Sequence, residues 1–433
     1  MPKGKRRAKP SGAASKNRIE NLGTSDEDSI NDNASVISIQ SDSTIHDDGF
    51  TIPGTFGDEV DEPTQEDLFE EKLYEAIDGI SQKSAQTRTN SLLAVGTAFT
   101  RRYVPEMIVD RRLTLCDGIE RALKKGRGAE QAAAAQLAAL LCIQLGAGPL
   151  TNQICAHLTP ILTFVALDTS MSPLARAKCC WALGVLNYIG DTDDICESLR
   201  VLQLVFGGSY PKGDGSQPAV TADAAQLHAA ALSAWSLLLT LVEHHDSRTL
   251  PSVSQLASLL QSPHLEVRLA AGEAIVLLLE QQRDTGDSSS SGDDCSDQLL
   301  AQLRDLATDS HKYRAKKDRK TQRSTFRDIL RYVEEDEPPN IQIKFGKEML
   351  TLDSWSRKKQ YDVLCQVLGS GMNLHLVEND LLRDILQLGD KISPLNISAH
   401  KQSKLERHLM NAANFKARSI SRAKNRDKRT AVI

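Results

Sequence analysis

The sequence predicts an all-α protein. The expected architecture is an armadillo/HEAT-like helical-repeat solenoid with a small C-terminal hairpin-plus-helices appendix, a basic C-terminal helix and a disordered N-terminal tail. Three observations predict it. Aromatic residues make up 4% of the 433 residues while 40% are hydrophobic, with much Ala and Leu, a balance that suits packed helices better than a sandwich or barrel. Apolar residues recur at helical spacing over 84–99, 130–145, 174–189, 224–242 and 264–279. Superimposing Arg88, Ala132 and Arg176 gives two steps of 44 residues, and Arg268 lies two further steps of 46 away. A period of about 40–47 residues is that of armadillo and HEAT arrays, in which each unit leaves an apolar face that the next one covers.

The elements follow in order. Residues 1–18 carry seven Lys or Arg and no acid, and residues 19–71 carry sixteen Asp or Glu and no Lys or Arg. Such blocks repel themselves, so 1–63 is expected to be a disordered basic-then-acidic tail. The solenoid is expected over 64–335, beginning with the helical spacing of Leu68, Leu73, Ala76, Ile77 and Ile80. Segments 107–123, 152–166 and 250–260 fit as the partner helices. Gly146 to Pro149, 169–173 and the Gly/Pro-rich 207–218 read as helix-breaking loops. A polar low-complexity insert, 284–297, interrupts the array. After one more helix, 299–308, comes a basic segment, 311–331, with nine Lys or Arg against Asp318 and Asp328. Its leading cations are Lys312, Arg314, Lys316, Lys317, Arg319, Lys320 and Arg323.

Beyond 334–339 the period changes. Ile341, Ile343 and Phe345 alternate, Gly346-Lys347 can turn, and 349–352 can return, which predicts a β-hairpin. Asp353 or Ser354 can cap a helix running to Gly369-Ser370-Gly371, and Asn379 or Asp380 can cap another over 381–388. Residues 338–399 therefore read as a compact C-terminal domain, followed by a basic helix over 400–433.

That last segment holds ten Lys or Arg against Glu406 and Asp427 between 401 and 429. On a helix at about 100° per residue, Lys404, Arg407, Arg418, Arg422, Arg426 and Arg429 share an arc of roughly 100°. Phe415 lies in the same stripe, and Leu405, Leu409, Ala413, Ala417 and Ile420 lie opposite. Lys416, Lys424 and Lys428 add to the charge. A row of cations with one stacking ring suits a polyphosphate backbone with unpaired bases.

Other chemistries find little support. Eight scattered cysteines without a C-x-x-C pair read as reduced, mostly core thiols. Cys155-x-His157 lacks the second pair a zinc site needs, and His244-His245 splay apart on a helix. Gly369-Ser370-Gly371 precedes Met372 rather than Lys-Ser/Thr, so it reads as a helix stop, not a phosphate loop. Trp181 and Trp235 read as core anchors and Trp355 as packing in the C-terminal domain. The Ala-rich stretches 132–148 and 224–242 read as buried helices rather than membrane spans. No enzyme, cofactor, metal, membrane or small-molecule substrate is expected. Residues 3–9 and 424–429 are candidate nuclear import signals. Ser25, Ser290 and Ser291 precede acids that an acidophilic kinase would read, which makes them candidate phosphosites.

The C-terminal residues carry a resemblance. Phe345-Gly-Lys-Glu348, Leu352-Asp-Ser-Trp355, Lys359-Gln-Tyr361, Val367-Leu-Gly-Ser-Gly-Met372 and Leu381-Leu-Arg383 resemble the C-terminal domain of the interferon-related developmental regulators. So do Glu406-Arg-His-Leu409, Phe415-Lys-Ala-Arg418 and Arg426-Asp-Lys-Arg429. The resemblance implies non-enzymatic control of gene expression in differentiation, cytoplasmic and nuclear. One implied role is ribosome and rRNA binding that represses translation, the C-terminal helix entering space that mRNA or tRNA would fill. The matching positions here run from Lys404 to Arg429. The other implied role is nuclear co-regulation of transcription, scaffolding corepressor proteins of the histone deacetylase type.

Overall fold

The computed structural model describes residues 65–190, 195–242, 250–284, 297–309 and 315–391. The expected N-terminal tail, most of the polar insert and the basic C-terminal helix lie outside these residues. Six helices stack side by side in one row: α2 (Ala85–Arg101), α5 (Ala129–Leu145), α7 (Pro173–Ile189), α9 (Ala222–Leu239), α11 (Leu265–Asp284) and α13 (Lys316–Glu335). Each has a partner behind it, in order α1 (Gln65–Gly79), α4 (Arg112–Lys125), α6 (Pro149–Leu167), α8 (Ile195–Phe206), α10 (Val253–Ser258) and α12 (Asp297–Thr308). A short α3 (Pro105–Val109) precedes α4. The repeat is therefore a helix pair, and one core runs through the whole stack.

Local chemistry explains where helices begin. Ser84, Ser172, Thr221 and Ser252 each accept a hydrogen bond from the backbone N–H three residues on, satisfying one of the orphan donors of the first turn. Pro149 and Pro173 occupy first-turn positions, where a missing N–H costs nothing. Asp336, at φ 58°, ends α13 in the left-handed conformation.

The predicted register is exact in one respect. Arg88, Ala132, Arg176 and Arg268 each stand fourth in α2, α5, α7 and α11. The three arginines perform one task, tying the row to the chain that leads into it. Arg88 donates to Gln82 O and Lys83 O at 3.1 and 2.7 Å, Arg176 to Ala166 O at 2.9 Å and Arg268 to Ser262 O at 2.7 Å. Two of them also reach the next repeat: Arg88 pairs with Glu130 at 2.6 Å, and Arg268 donates to Gln322 Oε1 at 2.7 Å. Buried Gln144 links α5 to the end of α2, donating to Phe99 O and Arg102 O and accepting from Val104 N–H. Small residues set the spacing: a Cβ on Gly272 would lie 2.9 Å from both Ile329 and Phe326, so α13 can approach α11 closely.

The two Ala-rich stretches fall in α5 and α9, whose Ala134, Ala135, Ala138, Ala231 and Ala234 are fully buried. Among the described residues, α6 is the one helix long and apolar enough to span a membrane. It packs within the array, with Ile154, Leu158, Leu162 and Val165 buried.

After α13 the chain forms the expected hairpin, β1 (Ile341–Phe345) and β2 (Glu348–Leu352), paired Ile341↔Leu352 through Phe345↔Glu348 about Gly346-Lys347. Ser354 caps α14 (Trp355–Leu368), a 3-10 turn covers Gly369–Gly371, and α15 (Met372–Glu378) and α16 (Asp380–Ile385) follow, with Asn379 capping the last. The sequence does not disclose where these elements sit. They lie across the row rather than beside it: α14 packs on α11, α9 and α5, and the 3-10 turn packs on α2. They form a strap over the stacked helices.

Candidate nucleic-acid interface

The strap is seated by polar groups that its burial leaves no freedom to mispair. Glu280 of α11 accepts from the N–H groups of Trp355 and Ser356 and from Ser356 Oγ, at 2.7–2.8 Å. Lys359, 4% exposed, reaches Ser233 at 2.6 Å and Glu273 at 2.8 Å. Burial raises the Glu273 carboxyl, but the ammonium groups of Lys359 and Lys358 outweigh it and hold the group below the usual carboxylate range. At the other end His375 Nε2 donates to Phe99 O at 2.9 Å, and Asn379 donates to Ile143 O at 3.0 Å. Burial pushes His375 down, so the ring is neutral, and its Nδ1 accepts from Asn379. Gly371 is required: a Cβ there would sit 1.6 Å from Thr100 O. Arg383, 3% exposed, grips both oxygens of Glu348 and donates to Leu376 O, Leu388 O, Gly389 O and Asp390 O.

The basic segment is built differently. Lys316, Lys317, Arg319, Lys320 and Arg323 all fall on α13, together with Arg327 and Arg331. At about 100° per residue, Lys316, Lys320, Arg323 and Arg327 lie within an arc of about 60°. The buried Gln322, Phe326, Ile329 and Tyr332 occupy the far side, against α11 and α12. Packing of that apolar side turns the cations outward. Lys316, Lys317, Lys320 and Arg327 are exposed, and Arg319 and Arg323 are half-buried. Arg331 alone of these has a carboxylate partner among the described residues, Glu337 at 3.5 Å. Lys312 and Arg314 lie outside the described residues.

The remaining predicted residues also lie outside: the tail cations Lys404, Arg407, Lys416, Arg418, Arg422, Lys424, Arg426, Lys428 and Arg429, the ring of Phe415, and Ser25, Ser290 and Ser291. The described chain ends at Lys391, nine residues before that tail. Lys391 lies 5.7 Å from the centre of the Tyr103 ring and 2.7 Å from Asp380, at the α2 end of the row. The α13 cations are at the opposite end.

Sequence reasoning missed a groove. Between α7, α9, α11 and α14 lies a cavity of about 580 Å³, lined by Leu174, Lys178, Trp181, Glu266 and Leu269 among others. Trp235 is the expected core anchor, fully buried, but Trp181 is only partly buried and walls this groove. Burial pushes the Lys178 ammonium below the ordinary lysine range. The strap that makes one wall comes from residues too distant in sequence for periodicity to place. Trp355 is buried as packing, its ring edge-on to Tyr332 at 6.3 Å. Cys155 and His157 do not converge on one site: Cys155 donates to Leu186 O at 3.3 Å and His157 pairs with Glu120 at 2.6 Å.

Fold and surface together define a helical-repeat protein with its own C-terminal strap docked across the stack. Comparison with known proteins gives the particular family. The sequence profile described as interferon-related developmental regulator matches residues 33–334, and that of the interferon-related protein conserved region matches 379–430. Interferon-related developmental regulator 2 of Mus musculus is 42% identical over 386 residues, covering 87% of this chain and 86% of its own. Interferon-related developmental regulator 1 of Homo sapiens is 42% identical over 399 residues, covering 89% and 88%. An uncharacterized protein of Schizosaccharomyces pombe is 29% identical over 184 residues, 38% of this chain and 41% of its own. The chain belongs to the interferon-related developmental regulator family, which implies a regulator connected with differentiation and is not a known enzyme family.

Proposed function

We propose that the protein is a non-enzymatic regulator that docks on the ribosome through rRNA phosphates and represses translation. The observation that carries this reading is the cationic stripe Lys404, Arg407, Arg418, Arg422, Arg426 and Arg429, with Phe415 among the cations. It falls within the segment matched by the second family profile. Occupying a ribosomal channel requires stoichiometric binding and shape, not chemistry, and a rigid stack with a seated strap suits that task. In this reading the protein acts in the cytoplasm, and the basic runs at 3–9 and 424–429 allow nuclear entry.

Sedimentation through a sucrose gradient in moderate salt tests the proposal, together with translation of a reporter mRNA in an extract. The full chain should co-migrate with 80S particles and lower reporter output. Deleting 400–433, or reversing charge at Arg418, Arg422 and Arg426, should abolish both effects. Protein that remains ribosome-free in every gradient would refute it.

The groove favours a second reading, a nuclear adaptor that recruits corepressor proteins. A cavity of about 580 Å³ with Trp181 and Leu174 in its wall offers the partly apolar surface a protein segment needs. Exclusively nuclear protein that loses its corepressor on Trp181→Ala would favour this reading.

A further inference from the structure

The geometry points to the outer face of α13, the last helix of the array, as a second RNA-phosphate docking surface, separate in sequence from the tail. This inference rests on the ribosome-binding reading. Its residues are Lys316, Lys320, Arg323 and Arg327, flanked by Lys317 and Arg319.

Four features carry it. The first is pairing. Elsewhere in the array and strap, several basic side chains near the surface find carboxylates: Arg88 with Glu130, Lys124 with Glu120, Arg200 with Glu197, Arg304 with Glu334, Arg357 with Asp353 and Lys358 with Asp362. None of the four ladder residues has such a partner among the described residues. The second is position within the helix. Lys316, Lys317, Arg319 and Lys320 crowd the first turns of α13, where the helix dipole is positive and cations cost stability. Their presence there is not explained by helix formation.

The third feature is spacing. At about 1.5 Å rise per residue, the four cations stand roughly 6, 4.5 and 6 Å apart along the axis, a regular array for a regularly charged polymer. A protein-binding patch would instead be expected to centre on aromatic or apolar groups, and the rings of α13, Phe326 and Tyr332, are buried on its other side. RNA is therefore favoured over an acidic protein. The fourth is rigidity: the apolar side is clamped against α11 and α12, with Gln322 donating to Leu306 O and Asp309 and accepting from Arg268. The ladder is held before any ligand arrives.

The described chain ends at Lys391, beside Tyr103 at the α2 end, and α13 is the sixth helix of the row, roughly 40–50 Å away at about 8–10 Å per helix. A partner that engages both the α13 face and the tail gains from the effective concentration of two linked contacts.

The test is a salt series of binding to purified 80S ribosomes by the full chain carrying Lys316→Glu, Lys320→Glu and Arg327→Glu. A control variant, Lys72→Glu, Lys83→Glu and Lys125→Glu, changes net charge equally at exposed lysines elsewhere. The α13 variant should bind at least tenfold more weakly than the control. Its slope of log affinity against log salt should be shallower by about 2–3, at 0.7–0.9 per lost phosphate contact. It should also melt at or slightly above the parent's temperature. Parental affinity and slope in the α13 variant would overturn the inference while tail charge reversal still abolished binding, leaving the function proposal standing. A variant that keeps ribosome binding and loses an acidic protein partner would also overturn it, assigning the face to protein.

Discussion

The strap and α13 are both rich in lysine and arginine, and the fold treats them in opposite ways. On the strap, Arg357, Lys358, Lys359 and Arg383 face Asp353, Asp362, Glu273 and Glu348, and two of these cations are buried. On α13 the cations lie on the side away from the core, six of the seven without carboxylates among the described residues. A basic run is thus interpreted by its partners rather than its composition. Buried and paired, it seats one element on another; exposed and unpaired, it is available to an external polyanion. The comparison also separates the two regions energetically. Removing one member of a buried ion pair leaves a desolvated charge behind, whereas exposed charges contribute little to folding.

The largest effect expected on stability is from Arg383→Ala. It strands Glu348 and four backbone carbonyls, and unfolding measured in denaturant should show a loss of about 3–5 kcal/mol. Gly371→Ala should next lift the strap from α2, because Thr100 O occupies the space a methyl group needs. Native-state hydrogen exchange would then show faster opening over 369–385, with the first repeats beneath it also less protected. Little change in exchange would mean that the strap is not held by this close approach.

Acid should weaken the docked regions progressively. Burial holds His375 of the strap and His228 of α9, whose Nδ1 lies 2.7 Å from Ser209 Oγ, below the ordinary histidine value, His228 at about 4, so both rings are neutral in the folded protein at neutral pH. Their contribution is complete above pH ~6.5, where the unfolded rings are neutral too, and is lost as pH falls through each depressed folded value, about 4 for His228. A melting temperature that declines between pH 6.5 and 4.5, with a smaller decline in His375→Gln, would bear this out. The smallest stability effect is expected on α13. Lys316→Glu with Lys320→Glu should change stability by no more than about 0.5 kcal/mol, and upward, since acids suit a helix N-terminus. Stability that rises while ribosome binding falls would sharpen the contrast; a large destabilisation would erase it.

Much of the array was legible in the sequence because its determinants are local. The alternation of Ile341, Ile343 and Phe345 and the Gly346-Lys347 turn located the hairpin, and the period placed Arg88, Arg176 and Arg268 at one structural position. Other elements were less visible. Helix α8 was not assigned, although Ile195, Leu199, Leu202 and Val205 carry its period, and α15 was hidden behind a Gly-rich stop. The strap's seat was not readable at all, because its partners are remote: His375 meets Phe99 and Lys359 meets Glu273. Of the basic segment, Lys316, Lys320 and Arg323 share one face of α13 with Arg327, and Lys317 and Arg319 flank it. Composition alone could not have separated those cations from the buried Lys359.

Amine reactivity tests the central contrast most directly. The free chain and its 80S complex would be treated with a small lysine acylating reagent, and each site quantified by mass spectrometry. Lys359 should stay unmodified in both, while Lys316 and Lys320 should react readily in the free chain and become protected on the ribosome. Equal labelling of Lys316 and Lys320 with and without ribosomes, or ready labelling of Lys359, would contradict the account.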